Sequence, residues 1–255
     1  GVPGNTDVTQ SVADNSGSLG TASIVNDGTL TFSRKDAHSV GNTISGTGSV
    51  RVGIPAAASL GDTPTQVVPY TGTASYAGAT TVNNGTLVIG AGASIGGSGV
   101  SVVAGAALSG TGTVSAPVTA AGTIAPGPGT GDLTVGNTVL TGTYACDISG
   151  ASSDKLAAGT LDITGATLTL NGTPTAASYT IATYTGTLAG TFTFTPPSGY
   201  ALDYTTAGEI KLVQSGSEFD NWILGFYPGE TNAAIIGVDA DPDNDGISNG
   251  LEFVL

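Results

Sequence analysis

Methionine is absent from the 255 residues, and tryptophan, cysteine and histidine occur once each. The lone Cys146 excludes an internal disulfide, and with no second cysteine and no nearby histidine it cannot anchor a zinc site. It reads as a small buried apolar side chain. Charge is scarce too: only 9% of residues are charged, which excludes surface helices laced with Lys and Glu over most of the chain. Lys and Arg number 5 against 19 Asp and Glu, and the net charge of −14 repels phosphate backbones and anionic lipid headgroups alike. No nucleic acid or membrane-surface partner is expected. No run of about 18 apolar residues is present, so no membrane-inserted helix is expected either. Gly1 is followed by no basic-then-apolar leader, and the chain is expected to be a mature or trimmed product of an exported protein.

What is abundant is small: 41 Gly and 39 Thr, with Val, Ile, Leu and Ala recurring in strand-like runs. The composition rules out collagen, argues against disorder and points to an all-β protein. Charge also divides the chain. Residues 1–216 hold all five bases and 11 acids, whereas residues 217–255 hold eight acids and no base. That shift marks a boundary near Ser215-Gly216-Ser217, giving a Thr/Gly-rich region over 1–216 and a short helical module over 217–255. Phe219, Trp222, Ile223 and Phe226 follow helical spacing just after the boundary, with Asp220 placed to cap the helix.

Before the boundary a phrase repeats. Val25-Asn26-Asp27-Gly28-Thr29-Leu30 and Val82-Asn83-Asn84-Gly85-Thr86-Leu87 place a glycine with positive φ in a tight turn ahead of a strand. Gly85-Thr86-Leu87, Gly105-Ala106-Ala107-Leu108 and Gly122-Thr123-Ile124 continue it at intervals of roughly 20 residues, a natural length for one coil of a solenoid. The expected fold is a parallel β-helix, or β-solenoid. From about Gly136 the runs 160–163, 166–170, 179–184 and 190–194 alternate strictly, so more antiparallel or edge strands are expected toward the end of this region.

The most specific motif is Asp241-Pro242-Asp243-Asn244-Asp245-Gly246-Ile247-Ser248-Asn249-Gly250-Leu251-Glu252, which fits D-x-[DN]-x-[DN]-G-x5-E throughout. Carboxylates of Asp241, Asp243 and Asp245 at positions 1, 3 and 5 converge on a hard cation, and Gly246 permits the sharp turn. The carbonyl of Ile247 supplies position 7, Asn249 occupies position 9, which often binds through water, and Glu252 closes the site. A structural Ca2+ is expected, with no signalling role. The bland alternative is a solvated acidic tail.

Asn-Asn-Gly-Thr-Leu at 83–87, Leu-Ser-Gly-Thr-Gly-Thr-Val at 108–114 and Gly-Thr-Ile-Ala-Pro-Gly at 122–127 resemble the autotransporter-associated β-strand repeat, as does the block from Asp154 to Phe192. The resemblance covers roughly residues 20–215 and implies a secreted or surface passenger of a bacterium, folded as a parallel β-helix. The acidic loop, with its apolar residue at position 7, resembles dockerin and thrombospondin type 3 calcium loops. The whole tail is similar to those of large exported proteins in which such a module precedes a sorting segment.

Catalytic signals are weak. Gly92-Ala93-Ser94-Ile95-Gly96 spells G-x-S-x-G, yet that motif needs a strand, a turn, a helix and a downstream His, and the only histidine, His38, lies upstream. Ser152-Ser153-Asp154-Lys155 spells S-x-x-K but reads as a polar turn between β segments. The run Arg34-Lys35-Asp36-Ala37-His38 reads as a solvated corner. The protein is therefore not expected to be an enzyme. Thr-x-Thr pairs at 29, 111, 167 and 191 fall at irregular separations, which counts against the flat ladder an ice-binding face requires; threonine suits the wet side of any strand. The expected function is an extracellular structural protein that self-assembles head to tail, its first strand (7–12) and the helix stopping at Leu255 being completed by a neighbouring copy. The rival is a monomeric adhesin that contacts glycan or cell-surface components.

Overall fold

The computed structural model describes residues 8–11, 19–33, 37–54, 67–216 and 218–254, the first of these and Glu218 by backbone alone. Asp7, Val12, Arg34, Lys35, Asp36, Ser217 and Leu255, which carried parts of the expectations above, lie outside the described residues. The chain divides into two compact units, Gly1–Phe194 with Tyr204–Lys211, and Thr195–Asp203 with Leu212–Leu255.

The first unit is a β-solenoid. One coil runs through Thr80–Val82, Thr86–Ile89 and Ser94–Ile95, and the chain then returns to the first wall at Val100–Val102. Repetition of this path builds three walls, of nine, seven and ten strands, in which strands from successive coils lie side by side. The chain advances coil by coil in one direction, so the neighbours pair in parallel: Val50 with Thr80, Thr80 with Val100, and Val100 with Val118.

Side chains alternate across each wall, and the inward ones stack in columns. Phe32, Val52, Val82, Val102, Ala120 and Leu140 form one column, and Val68, Leu87, Leu108, Ile124, Tyr144 and Leu168 another, all buried. Thr80 and Thr138 take inward positions in which their hydroxyls find partners, as buried hydroxyls generally do. Thr80 pairs with the Tyr76 hydroxyl, and Thr138 donates to the Gly136 carbonyl at 3.0 Å. Tyr144, fully buried, donates to the Ile181 carbonyl at 2.7 Å and stacks on Phe192 at 5.8 Å.

The corners are where glycine is needed. Gly85 has φ 70°, as its turn demands, and Gly110 has φ 110° with the Ile89 carbonyl oxygen 2.0 Å from where a Cβ would stand. Gly28, in the equivalent phrase, does not take a positive φ. There the turn is closed by Asn26, whose side-chain oxygen accepts from the Gly28 amide at 3.3 Å while its nitrogen donates to Ser49 in the next coil at 2.8 Å.

Coil length varies while register does not. Val100 meets Val118, 18 residues on, whereas Val50 meets Thr80, 30 residues on. The Thr-x-Thr pairs at 29, 111 and 167 fall on three different walls and do not align with one another, whereas other threonines share rows because register is kept as coil length changes. Thr73, Ser94, Thr113 and Thr134 form one outward row, and Thr86, Ala107, Thr123, Thr143 and Thr167 another.

The strictly alternating strands past Gly136 continue the parallel stack: Tyr144 pairs with Leu168, Leu156 with Ala182, and Leu161 with Leu188. Their alternation reports one buried side, which a solenoid wall has whatever its strand direction. Antiparallel pairing enters in hairpins. One joins Ile148–Ser149 to Ser152–Ser153. The other pairs Tyr200–Asp203 with Glu209–Gln214, which a connection of five residues can join only antiparallel.

The second unit holds Tyr200–Asp203, the end of the last strand from Leu212, and three helices among the described residues: α1 (Glu218–Phe226), α2 (Ala233–Ile236) and α3 (Asn249–Val254). None of the described helices is long and apolar enough to cross a membrane.

Candidate metal centre

The helical module is tied together by aromatic rings. Phe219 lies 6.0 Å from Trp222 and 5.8 Å from Phe253, and Trp222 lies 5.7 Å from Phe253 and 5.1 Å from Phe226. These contacts dock α1 on α3, with Ile223 buried beside them. The helix begins at Glu218, so Asp220 sits within its first turn and does not cap it. α2 is capped by Asn232, whose side-chain oxygen accepts from the Ala234 amide at 3.0 Å. Glu230 accepts from the amides of Thr231 and Asn232, both at 2.9 Å, and these bonds hold its carboxyl below the usual range.

The acidic loop connects this frame to α3. Asp241 accepts the Asp245 amide at 3.2 Å and the Gly246 amide at 3.0 Å, and Asp245 accepts the Ile247 amide at 2.8 Å. Asn244 and Gly246 take positive φ, 58° and 93°, so the chain doubles back within six residues. The result brings one oxygen each of Asp241, Asp243 and Asp245 within 4.8 Å of one another, all three near the surface. Glu252 stands in the first turn of α3, where its amide and that of Leu251 donate to the Ser248 carbonyl at 3.0 and 2.8 Å. Its carboxyl is pushed up, first by burial and then by the charges of Asp243, Asp245 and Asp241. Glu252 thus feels their charge but stands outside the close group, which the three Asp form. Their oxygens form a hard donor set of the kind that divalent cations take.

Asn249 has another task. It is 1% exposed, and its side-chain nitrogen donates to the carbonyls of Ile235 at 2.8 Å and Gly237 at 2.9 Å. It pins the end of α2 to the start of α3, a structural role that its position in the motif does not announce. Ile247 follows Gly246 at the loop's turning point and contributes its amide to Asp245.

The solenoid's chemically suggestive residues are dispersed. Ser94 lies in a two-residue strand, paired with Thr73 on one side and Thr113 on the other, so the strand-turn-helix geometry of a nucleophile elbow does not occur there. Ser153 belongs to a hairpin and donates to the Thr180 carbonyl at 3.4 Å, while Lys155 pairs with Asp132 at 2.6 Å across adjacent coils. His38 is half-buried near the Asn42 corner, its amide donating to Val67 at 3.0 Å. Cys146 is buried, and burial, helped by Asp154, pushes its thiol up to about 12.

Asp154 escaped sequence reasoning. Only 1% exposed, it accepts the Gly131 amide at 2.8 Å and the Asp147 amide at 3.0 Å, fastening the hairpin 148–153 to the preceding coil. Burial raises its carboxyl to about 6 against the lowering effect of those two amides. No spacing marks such a residue in advance, because its partners are backbone groups seven and 23 residues away.

Comparison with protein-family models and with curated proteins returned no match for this chain.

Proposed function

We propose that the protein is an extracellular structural element, a β-solenoid whose helical module is stabilised by calcium, and that copies associate end to end into a surface filament. The observation that carries this reading is the continuous coil-to-coil register of the three walls, from Val8 to Ala189 on the nine-strand wall. A parallel ladder of this kind resists local opening because each coil is held on both sides. On the nine-strand wall the outermost described strands are Val8–Ser11 and Leu188–Ala189, the kind of edge that a strand of a neighbouring copy would extend. On the ten-strand wall the first strand, Ile24–Val25, leaves Val25 71% exposed.

Calcium suits the acidic loop better than magnesium does, since irregular sites of mixed carboxylate and carbonyl oxygens favour the larger ion. Asp241, Asp243, Asp245 and Glu252 would hold it, with the Ile247 carbonyl completing the set and Asn249 supporting the frame. The ion would neutralise the mutual repulsion of the carboxylates and fix the α2–α3 geometry. The resemblance to autotransporter-associated repeats and to dockerin and thrombospondin type 3 loops supports a bacterial, secreted or surface setting.

Electron microscopy of the purified chain, in calcium and in EDTA, tests the assembly. Uniform fibres with a regular axial repeat are the expected outcome, and their loss in EDTA would put the module at the joint between copies. Dispersed particles in both media would overturn the filament. The uncharged outward rows of Thr and Ser favour one second reading, a monomeric adhesin, for which binding of the dispersed protein to a glycan array is the direct assay.

A further inference from the structure

Between α1 and the acidic loop lies a cavity of about 220 Å3 lined by Trp222, Ile223, Phe226, Tyr227, Pro242, Asp243, Asn249 and Glu252. Three aromatic rings stand with two carboxylates around one opening. Phe226 is 66% exposed despite its ring contact with Trp222, so a large apolar surface at the rim is left uncovered. Residues 217–255 contain eight acids and no base, so this segment supplies no cation of its own to the cavity.

Each part of the wall selects against a different class of occupant. The carboxylates repel anions and make a purely apolar side chain a poor guest, because they would be desolvated without a partner. The aromatic rings add nothing for a bare metal ion that keeps its water, but they attract an organic cation through their negative faces. A guanidinium satisfies both, since it is flat enough to lie on a ring and offers paired N–H donors that match a carboxylate. We infer that this cavity receives an arginine side chain from a protein partner, with Trp222 and Phe226 against the guanidinium plane and Glu252 and Asp243 accepting its hydrogen bonds. The inference rests on the cavity and stands apart from calcium, although an ion bound at Asp243 and Glu252 would compete for the same oxygens.

Trp222 is the only tryptophan in the chain, so its fluorescence reports on the cavity directly. The intact protein is titrated with a blocked tetrapeptide containing two arginines, and separately with the same peptide carrying glutamates, in EDTA and in calcium. A saturable change in emission with the arginine peptide in either medium, absent with the glutamate peptide, is the expected result. Phe226→Ala, at an exposed position, should weaken that binding by about five- to tenfold. No saturation in either medium, an equal response to the glutamate peptide, or an unchanged affinity in F226A would overturn the inference. Weaker arginine binding in calcium would show the two cations sharing Asp243 and Glu252. Equal binding in both media leaves the arginine site standing and counts against calcium at those oxygens.

Discussion

The solenoid and the helical module solve the same problem by opposite means. In the solenoid a side chain is buried because the coil below and the coil above cover it, as Leu108 is covered between Leu87 and Ile124. In the module the described helices have nine, four and six residues, only Ile223 and Asn249 are buried, and the rest depends on ring contacts and on a loop of mutually repelling acids. A repetitive stack supplies its own partners, whereas a segment this short needs an external one. A metal ion is the usual remedy in domains of this size.

The largest expected effect tests the solenoid's side of that contrast. Leu108→Ala, at a fully buried position, should cost about 2–5 kcal/mol of solenoid stability by denaturant unfolding while leaving cation binding by the module unchanged. Calcium removal tests the other side. With calcium at a hundred times its dissociation constant the module gains about 2.7 kcal/mol, so EDTA should lower the helical circular-dichroism signal and its melting temperature with little change in the β signal. Loss of both signals together would show that the two units are not independent.

A smaller effect separates the frame of the metal site from its ligands. Asn249→Ala leaves two carbonyls without their donor and should destabilise the module by about 1–3 kcal/mol even with calcium in excess. Glu252→Gln should instead weaken calcium titration while sparing the fold in saturating calcium. The smallest effect is a pH dependence confined to the solenoid. The folded pKa of Asp154, about 6, lies above its ordinary value of 3.8, so between those values the folded state binds more protons than the unfolded one. Stability from this group is therefore fullest below about pH 4, falls by on the order of 1–2 kcal/mol as pH rises through 6, and is level above it. Asp154→Asn should remove that slope from the melting temperature measured across pH 4 to 7.

The two units also differed in how far they could be read in advance. The solenoid was legible because glycine corners and inward apolar residues recur at each coil, as at Leu87, Leu108 and Ile124. Its strand directions past Gly136 were not, since alternation reports burial and is silent on direction. The threonine rows were hidden for a related reason: spacing along the chain and spacing across a wall are decoupled by corners of unequal length. In the loop, the meeting of Asp241, Asp243 and Asp245 followed from the motif, because alternate side chains about a tight glycine turn have few other arrangements. The burial of Asn249 did not follow, since it depends on carbonyls of Ile235 and Gly237 that no local pattern encodes.

The freedom of coil length has a consequence for how such a chain can change. A segment inserted at the Ala104-Gly105 turn, between Val100–Val102 and Ala107–Gly110, lengthens a corner and leaves the wall register of Val100 with Val118 as it is. Length polymorphism at corners therefore costs little, since closing a longer loop adds only about 0.6 kcal/mol for each doubling. A single deletion inside Val100–Val102 would turn every following inward residue of that strand outward. Corners are thus the places where new sequence can be grafted onto this protein, and the walls are where it cannot.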